Sequence, residues 1–233
     1  YQKINSIIND LADYNVTIKV ITDMYNILTG SVKINSIFGA LLIEVNPQLM
    51  PNWQRTLKRV FDLNFSLLAI LLLSPVFILL SILIKMGSNG SIIYKQERIG
   101  LNGVPFFIYK FRSMYIDSEK NGPQLSSKGD NRITKIGKLM RKSRLDETPQ
   151  FFNVIKGNMS IVGPRPERKY YIDKIIEKAP HYKHIKKVKP GITSWGQVKY
   201  GYAENVEQMV ARLKFDLLYV ENMSLILDFK ILF

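Results

Sequence analysis

The chain has 233 residues, 33 Lys and Arg against 19 Asp and Glu, a net charge of +14, two histidines and no cysteine. Its length suits one domain with a smaller partner piece, and 46% hydrophobic against 22% charged residues excludes a wholly disordered chain. The absence of cysteine excludes disulfides, thiolate metal sites and cysteine nucleophiles; with only His181 and His184, acid–base chemistry falls to carboxylates.

The charge is unevenly placed. Residues 1–52 carry three basic and four acidic residues, net −1, while residues 53–233 carry thirty and fifteen, net +15. A basic domain expects an anionic partner: nucleic acid, a lipid surface or a phosphorylated substrate. The chain starts at Tyr1 and ends on the apolar Ile231-Leu232-Phe233, so it reads as a piece of something longer. A helix is predicted at 4–12 and a strand at 16–22 (VTIKVIT), with further short apolar runs up to Val45. Together they suggest the tail of an α/β unit. The stretch 46–52, with Pro47 and Pro51, reads as a linker.

Residues 63–84 form an uncharged run of 22, long enough to span a bilayer. Arg55, Lys58, Arg59 and Asp62 precede it and Lys85 follows it. A straight transmembrane helix is one reading. Ser74-Pro75 at the midpoint supports another, because proline removes an amide donor and kinks or breaks a helix. A broken helix can dip into one leaflet and return, and the basic residues at both ends suit one cytoplasmic face. Ser74 is placed to satisfy part of the backbone that the proline frees.

After Lys85 the pattern changes. Residues 92–98 and 104–111 predict strands around an Asn102-Gly103 turn, hence a small β-hairpin. Residues 115–131 are polar and turn-rich, which predicts a mobile loop. Residues 132–144 hold Arg132, Lys135, Lys138, Arg141, Lys142 and Arg144 and no acid, with Ile133, Ile136, Leu139 and Met140 at helical spacing. That predicts a basic amphipathic helix, suited either to an anionic membrane surface or to packing on the core.

Asp146-Glu147 follows that helix directly. Asp146 reads as a helix N-cap, with Glu147 and Pro149 in the first turn. A carboxylate so placed is held ionised by the dipole and nearby cations, and such a group can attack phosphorus. Its neighbour is suited to orient a metal or act as a base. In Gly163-Pro164-Arg165-Pro166 an arginine fork on a stiff backbone suits a phosphate, or else is a solvated turn residue. Lys110 and Arg112 add two cations at a strand end, with the same two readings. Lys189-Pro190-Gly191 is turn chemistry, and Trp195 either stacks on a base or packs. There is no P-loop, no G-x-G-x-x-G and no zinc spacing.

In order, these pieces are K-R-x-x-D at 58–62, the Ser-Pro run, KFRSM at 110–114, RLDETPQ at 144–150, NVIKGNMSIVGPRP at 153–166 and KPGITSWGQV at 189–198. Over residues 53–233 the chain resembles the bacterial sugar transferases, monotopic polyprenyl-phosphate phosphoglycosyl transferases. The resemblance implies an α+β membrane-associated fold. A re-entrant broken helix at 53–85 leads to a mostly helical catalytic domain at 86–233, after the C-terminal remnant of a Rossmann-like domain at 1–52.

The implied activity transfers sugar-1-phosphate from a UDP-sugar to polyprenyl (undecaprenyl) phosphate, releasing UMP, by a ping-pong route. Asp146 matches the nucleophile that forms a covalent phosphosugar intermediate and is associated with Mg²⁺. Glu147 matches its partner. Arg141 and Arg165 match phosphate-holding residues, with Lys110 and Arg112 as further candidates. Ser74 and Pro75 match the helix break. Ser194-Trp195-Gly196 departs from the usual Gly-Trp-Ala, which bears on nucleotide or sugar selection.

The implied partners are the UDP-sugar, the polyprenyl phosphate, membrane lipids, a second copy in a homodimer and downstream glycosyltransferases, with no nucleic acid. The implied place is the cytoplasmic face of a bacterial inner membrane, at the start of exopolysaccharide, capsule or O-antigen-type glycan synthesis. Two other classes compete: a basic membrane-tethered anion-binding module, which would not need Asp146, and an inactive scaffold of the same fold, which would bind UDP-sugar without releasing UMP.

Overall fold

A computed structural model of the chain describes residues 18–21, 42–45, 49–119, 122–126 and 129–233. The chain divides into two compact units, Tyr1–Pro51 and Asn52–Phe233. In the first, β1 (Ile18–Ile21) lies within the expected strand and pairs antiparallel with β2 (Leu42–Val45), Ile18 opposite Val45. The helix expected at 4–12 lies outside the described residues. A Rossmann-like unit is built from parallel strands, so the described pairing gives no support to that part of the expected fold class.

The second unit is mostly helical and opens with α1 (Asn52–Gly87), 36 residues long. Only 11% of its most apolar 18-residue window is buried, and Leu67, Leu71, Leu72 and Ile78 are each more than 60% exposed. A soluble protein does not leave such a face to water, so α1 is built for membrane association. Its backbone is not interrupted at Ser74-Pro75, contrary to the broken helix expected from sequence. The reason is local. Pro75 has no amide to give the Leu71 carbonyl, and the Ser74 hydroxyl donates to that carbonyl instead, at 2.8 Å.

Both ends of α1 are anchored in the same unit. Lys58 and Asp62, one turn apart on one face, are buried. Lys58 Nζ donates to Val162 O at 3.0 Å and pairs with Asp228 at 2.5 Å. Asp62 accepts from Ser160 Oγ at 2.7 Å and from the Ile161 amide at 3.3 Å. At the far end, Leu80 and Ile84 join Phe111 and Met140 in a core cluster, with Phe77 edge-on to Phe111 at 5.4 Å.

The expected hairpin is β3 (Ile93–Ile99) with β4 (Pro105–Phe111), Ile93 opposite Phe111. Asn102 and Gly103 turn it with φ of 55° and 78°, the left-handed region those residue types tolerate. The basic helix is α2 (Lys135–Lys142), with Thr134 Oγ1 accepting from the Gly137 amide at 2.9 Å. Met140 is fully buried and Ile136 packs on the α1 cluster, so this side of the helix covers core, while Leu139 is 64% exposed.

After α3 (Gln150–Lys156), β5 (Ser160–Val162) pairs parallel with β6 (Gly191–Thr193). A Cβ on Gly191 would lie 2.1 Å from the Gly163 amide nitrogen. Only glycine admits this approach, and it joins Gly163-Pro164 to Pro190-Gly191. The unit is completed by α4 (Lys169–Lys178), a 3-10 segment at Pro180–Lys187, α5 (Trp195–Tyr200), α6 (Val206–Glu221) and α7 (Leu225–Leu232).

The loop expected to be mobile is tied in its described parts. Arg132 donates to Ser118 O, Gln124 Oε1 and Leu125 O at 2.8–3.2 Å. Tyr171 donates to Pro123 O at 3.1 Å, and Arg168 grips Glu119 with both terminal nitrogens at 2.8 and 3.3 Å.

Candidate active site

A cavity of about 440 Å³ opens between β4, α2 and the residues that follow β5. Lys110, Arg112, Arg141, Asp146, Glu147 and Arg165 all line it. Positions up to 55 residues apart in sequence (110 to 165) therefore meet at one hollow.

Asp146 and Glu147 sit in a 3-10 turn, Leu145–Glu147, entered through Arg144 in the left-handed conformation at φ 59°. The helix after them starts at Gln150, and the flanking Pro149 makes no side-chain cap. The N-cap reading of Asp146 is thereby corrected. Its carboxylate caps nothing, because the turn ends before the helix begins.

The two carboxylates have opposite electrostatics. Glu147 Oε1 lies 2.6 Å from Lys110 Nζ and 3.4 Å from Arg165, and Oε2 lies 3.5 Å from Arg144. Burial alone would raise its pKa, but Lys110 and Arg165 outweigh burial and hold it well below the usual carboxylate range. Asp146 is equally buried, at 7% exposed, yet takes no hydrogen bond or ion pair among the described residues. Burial raises its pKa, opposed first by Lys110 and then by Arg141 and Arg144, and helped by Glu147. The expectation that a dipole and cations depress Asp146 is corrected: burial outweighs the cations, and Lys110 and Arg144 are paired with its neighbour.

The four expected phosphate ligands differ in their commitments. Arg141 is held by two hydroxyls, Nε to Ser113 Oγ at 2.8 Å and Nη1 to Ser126 Oγ at 2.7 Å. No carboxylate among the described residues neutralises it, so its charge is available to an anion. Lys110 and Arg165 share Glu147. Arg112 is used differently from the expectation: it donates to Asn89 O and Ser88 O at 2.6 and 2.7 Å, closing the end of α1. Its task is to fix a helix terminus.

Sequence reasoning missed several cavity residues. Ser113 and Ser126 aim Arg141. Glu167, directly after the Gly-Pro-Arg-Pro motif, pairs with Arg212 at 2.6 Å and Arg98 at 3.2 Å. A lone acid in a basic stretch was the available signal. The departure at 194–196 is also explained. Ser194 and the Gly196 amide both donate to buried Asp216, at 2.9 and 3.0 Å, and neither lines the cavity. An alanine Cβ at 196 would lie 2.7 Å from Asp216 Oδ2. Those positions clasp α5 to α6 and make no contact with the hollow.

The donor set bears on Mg²⁺. No group of three or more metal-ligating side chains occurs among the described residues. Asp146 alone, with uncommitted oxygens in an open cavity, fits the way Mg²⁺ is commonly held, by one or two carboxylates plus substrate phosphates and water. Glu147 does not fit without displacing Lys110.

Residues 53–233 match the family model described as bacterial sugar transferase. The chain is 41% identical over 206 residues to the UDP-N-acetylgalactosamine-undecaprenyl-phosphate N-acetylgalactosaminephosphotransferase of Aeromonas hydrophila, covering 88% of this chain and 48% of that protein. It is 33% identical over 233 residues to the UDP-glucose:undecaprenyl-phosphate glucose-1-phosphate transferase of Escherichia coli K12, covering 99% and 50%. A third relative is the undecaprenyl-phosphate glucose phosphotransferase of Komagataeibacter xylinus, 38% identical over 202 residues, with 84% and 38% covered. The chain spans about half or less of the length of these relatives. With the family model covering residues 53–233, the chain belongs to the bacterial sugar transferase family.

Proposed function

We propose that residues 53–233 transfer sugar-1-phosphate from a UDP-sugar to undecaprenyl phosphate, with Asp146 as nucleophile. The observation that carries this reading is the asymmetry of the acid pair. Glu147 is neutralised by three cations, and Asp146 beside it has a free carboxylate facing the same hollow. An unshared carboxylate is the better nucleophile.

An Asp146 oxygen attacks the sugar-linked phosphorus of the donor. The bond from that phosphorus to the bridging oxygen breaks, UMP leaves, and an acyl phosphate remains on Asp146. An oxygen of undecaprenyl phosphate then attacks the same phosphorus and returns Asp146 as carboxylate. Arg141 and Arg165 hold phosphate oxygens, and Lys110 with Glu147 fixes the turn that aims Asp146. Bound at Asp146, Mg²⁺ would supply positive charge to the diphosphate and to the departing UMP.

The lipid acceptor sets where this happens. Both ends of α1 bind one unit, and Arg55, Arg59 and Lys85 flank its apolar stretch. A straight helix of that length would separate its ends by about 54 Å. Entry and exit on one face, the cytoplasmic face of the inner membrane, is the reading these anchors support, with 86–233 as the catalytic domain above it and 1–52 as the end of a preceding one. The experiment is a UMP-release screen with UDP-glucose and UDP-N-acetylgalactosamine in nanodiscs containing undecaprenyl phosphate. Release that needs Mg²⁺ and is lost in Asp146→Asn supports the reading; donor binding without release favours an inactive scaffold.

A further inference from the structure

Outside the cavity, two cations meet at the foot of α1. Gly157, just after α3, has φ 87°, and a Cβ there would lie 3.6 Å from Arg59 Nη2 and 3.9 Å from Lys189 Nζ. Three separate parts of the fold, α1, the end of α3 and the approach to β6, thus bring two positive head groups to one point.

Arg59 cannot swing away. Its Nη1 donates to Val154 O at 2.7 Å and its Nη2 to Ile155 O at 3.0 Å. Those carbonyls are the free end of α3, so Lys189 is not needed to cap them. Lys189 is half-buried and takes no hydrogen bond or ion pair among the described residues. The acid it feels is Asp62, whose two oxygens already accept from Ser160 and Ile161. Burial and then Arg59 push the Lys189 ammonium below its ordinary value. Two like charges fixed together, with no free acid between them, are unfavourable unless an anion joins them.

The surroundings identify the anion. Val60 on α1 and Phe152 and Ile155 on α3 are 49%, 42% and 36% exposed. Arg59 stands four residues before the uncharged run of α1 begins. Arg59 sits next to Val60 in sequence and bonds the helix that carries Phe152 and Ile155, and cations on elements with exposed apolar side chains match a phosphate carried on acyl chains. We infer that Arg59 and Lys189 form a binding site for the phosphate of an anionic lipid headgroup, separate from the catalytic cavity. It would seat the foot of α1 at a fixed depth.

The test uses the full chain in a neutral detergent and native mass spectrometry. Dioleoylphosphatidylglycerol, dioleoylphosphatidylcholine or inorganic phosphate is added at equal concentration. The expected result is retention of one phosphatidylglycerol, weakened roughly tenfold in Lys189→Gln, restored in Lys189→Arg and unchanged in Asp146→Asn. A second reading needs no variant: phosphatidylglycerol should slow acylation of Lys189 by an amine-reactive ester, and phosphatidylcholine should not. Equal retention and equal labelling with both lipids would overturn the site. Protection by inorganic phosphate without protection by phosphatidylglycerol would overturn the lipid assignment.

Discussion

Lys110 Nζ lies 2.6 Å from Glu147 Oε1, and no cation stands within ion-pair distance of the neighbouring Asp146 among the described residues. One buried carboxylate is thereby made structural and the other left free. The first prediction follows from this contrast. Lys110→Met leaves Glu147 short of its nearest partner and should cost on the order of 3 kcal/mol of stability together with activity. Asp146→Asn removes a buried charge that nothing neutralises, so its melting temperature should be equal or higher while turnover is lost. Thermal unfolding of the two variants in detergent, read beside UMP release, checks both halves.

Arg141 and Arg112, two of the arginines that line the cavity, should separate cleanly. Arg141 is aimed by serines and carries no acid partner, so Arg141→Gln should lower kcat/KM by about a hundredfold with little effect on unfolding. Arg112 binds the backbone at the end of α1, so Arg112→Gln should lower the unfolding midpoint and leave KM for the UDP-sugar unchanged in the folded fraction. If Arg112→Gln instead raised KM without destabilising the protein, its place at the helix end would not be its main task.

Ser74 and Pro75 should be coupled through the Leu71 carbonyl. Ser74→Ala strips that carbonyl of its donor and should cost about 1 kcal/mol. With Pro75→Ala an amide returns, and the same serine change should then be nearly neutral. A double-mutant cycle on thermal unfolding measures the coupling. Additive effects would mean that the hydroxyl does not stand in for the missing amide.

Gly196→Ala should destabilise by about 1–3 kcal/mol, because the new methyl meets Asp216 and Arg212. Donor preference should not change, since the clasp at 194–196 lies off the cavity wall. Comparison of UDP-glucose and UDP-N-acetylgalactosamine turnover in this variant reads the second point directly.

Much of the site was legible as motifs. Asp146, Glu147, Arg141 and Arg165 stand in the runs that carry the family resemblance, and the structure brings all four to one cavity; the hairpin followed from alternation around Asn102-Gly103. What was not legible depended on contacts between distant segments. Nothing local says that Lys110 reaches Glu147 rather than a substrate, or that Arg112 turns back to α1. The helix through Pro75 was misread for a smaller reason: a neighbouring hydroxyl replaced one amide, and the propensity rule carries no term for that. Asp146 as a cap failed because the turn and the next helix are separate elements, which spacing alone does not reveal.

The central claim is that Asp146 carries the sugar phosphate. The most direct measurement is peptide mass spectrometry on enzyme mixed with UDP-sugar and Mg²⁺ in the absence of undecaprenyl phosphate. The account predicts one UMP released per enzyme and a sugar-phosphate mass on the peptide containing Asp146, discharged when the lipid phosphate is added. A modified Glu147, or full turnover by Asp146→Asn with no adduct on any residue, would contradict it.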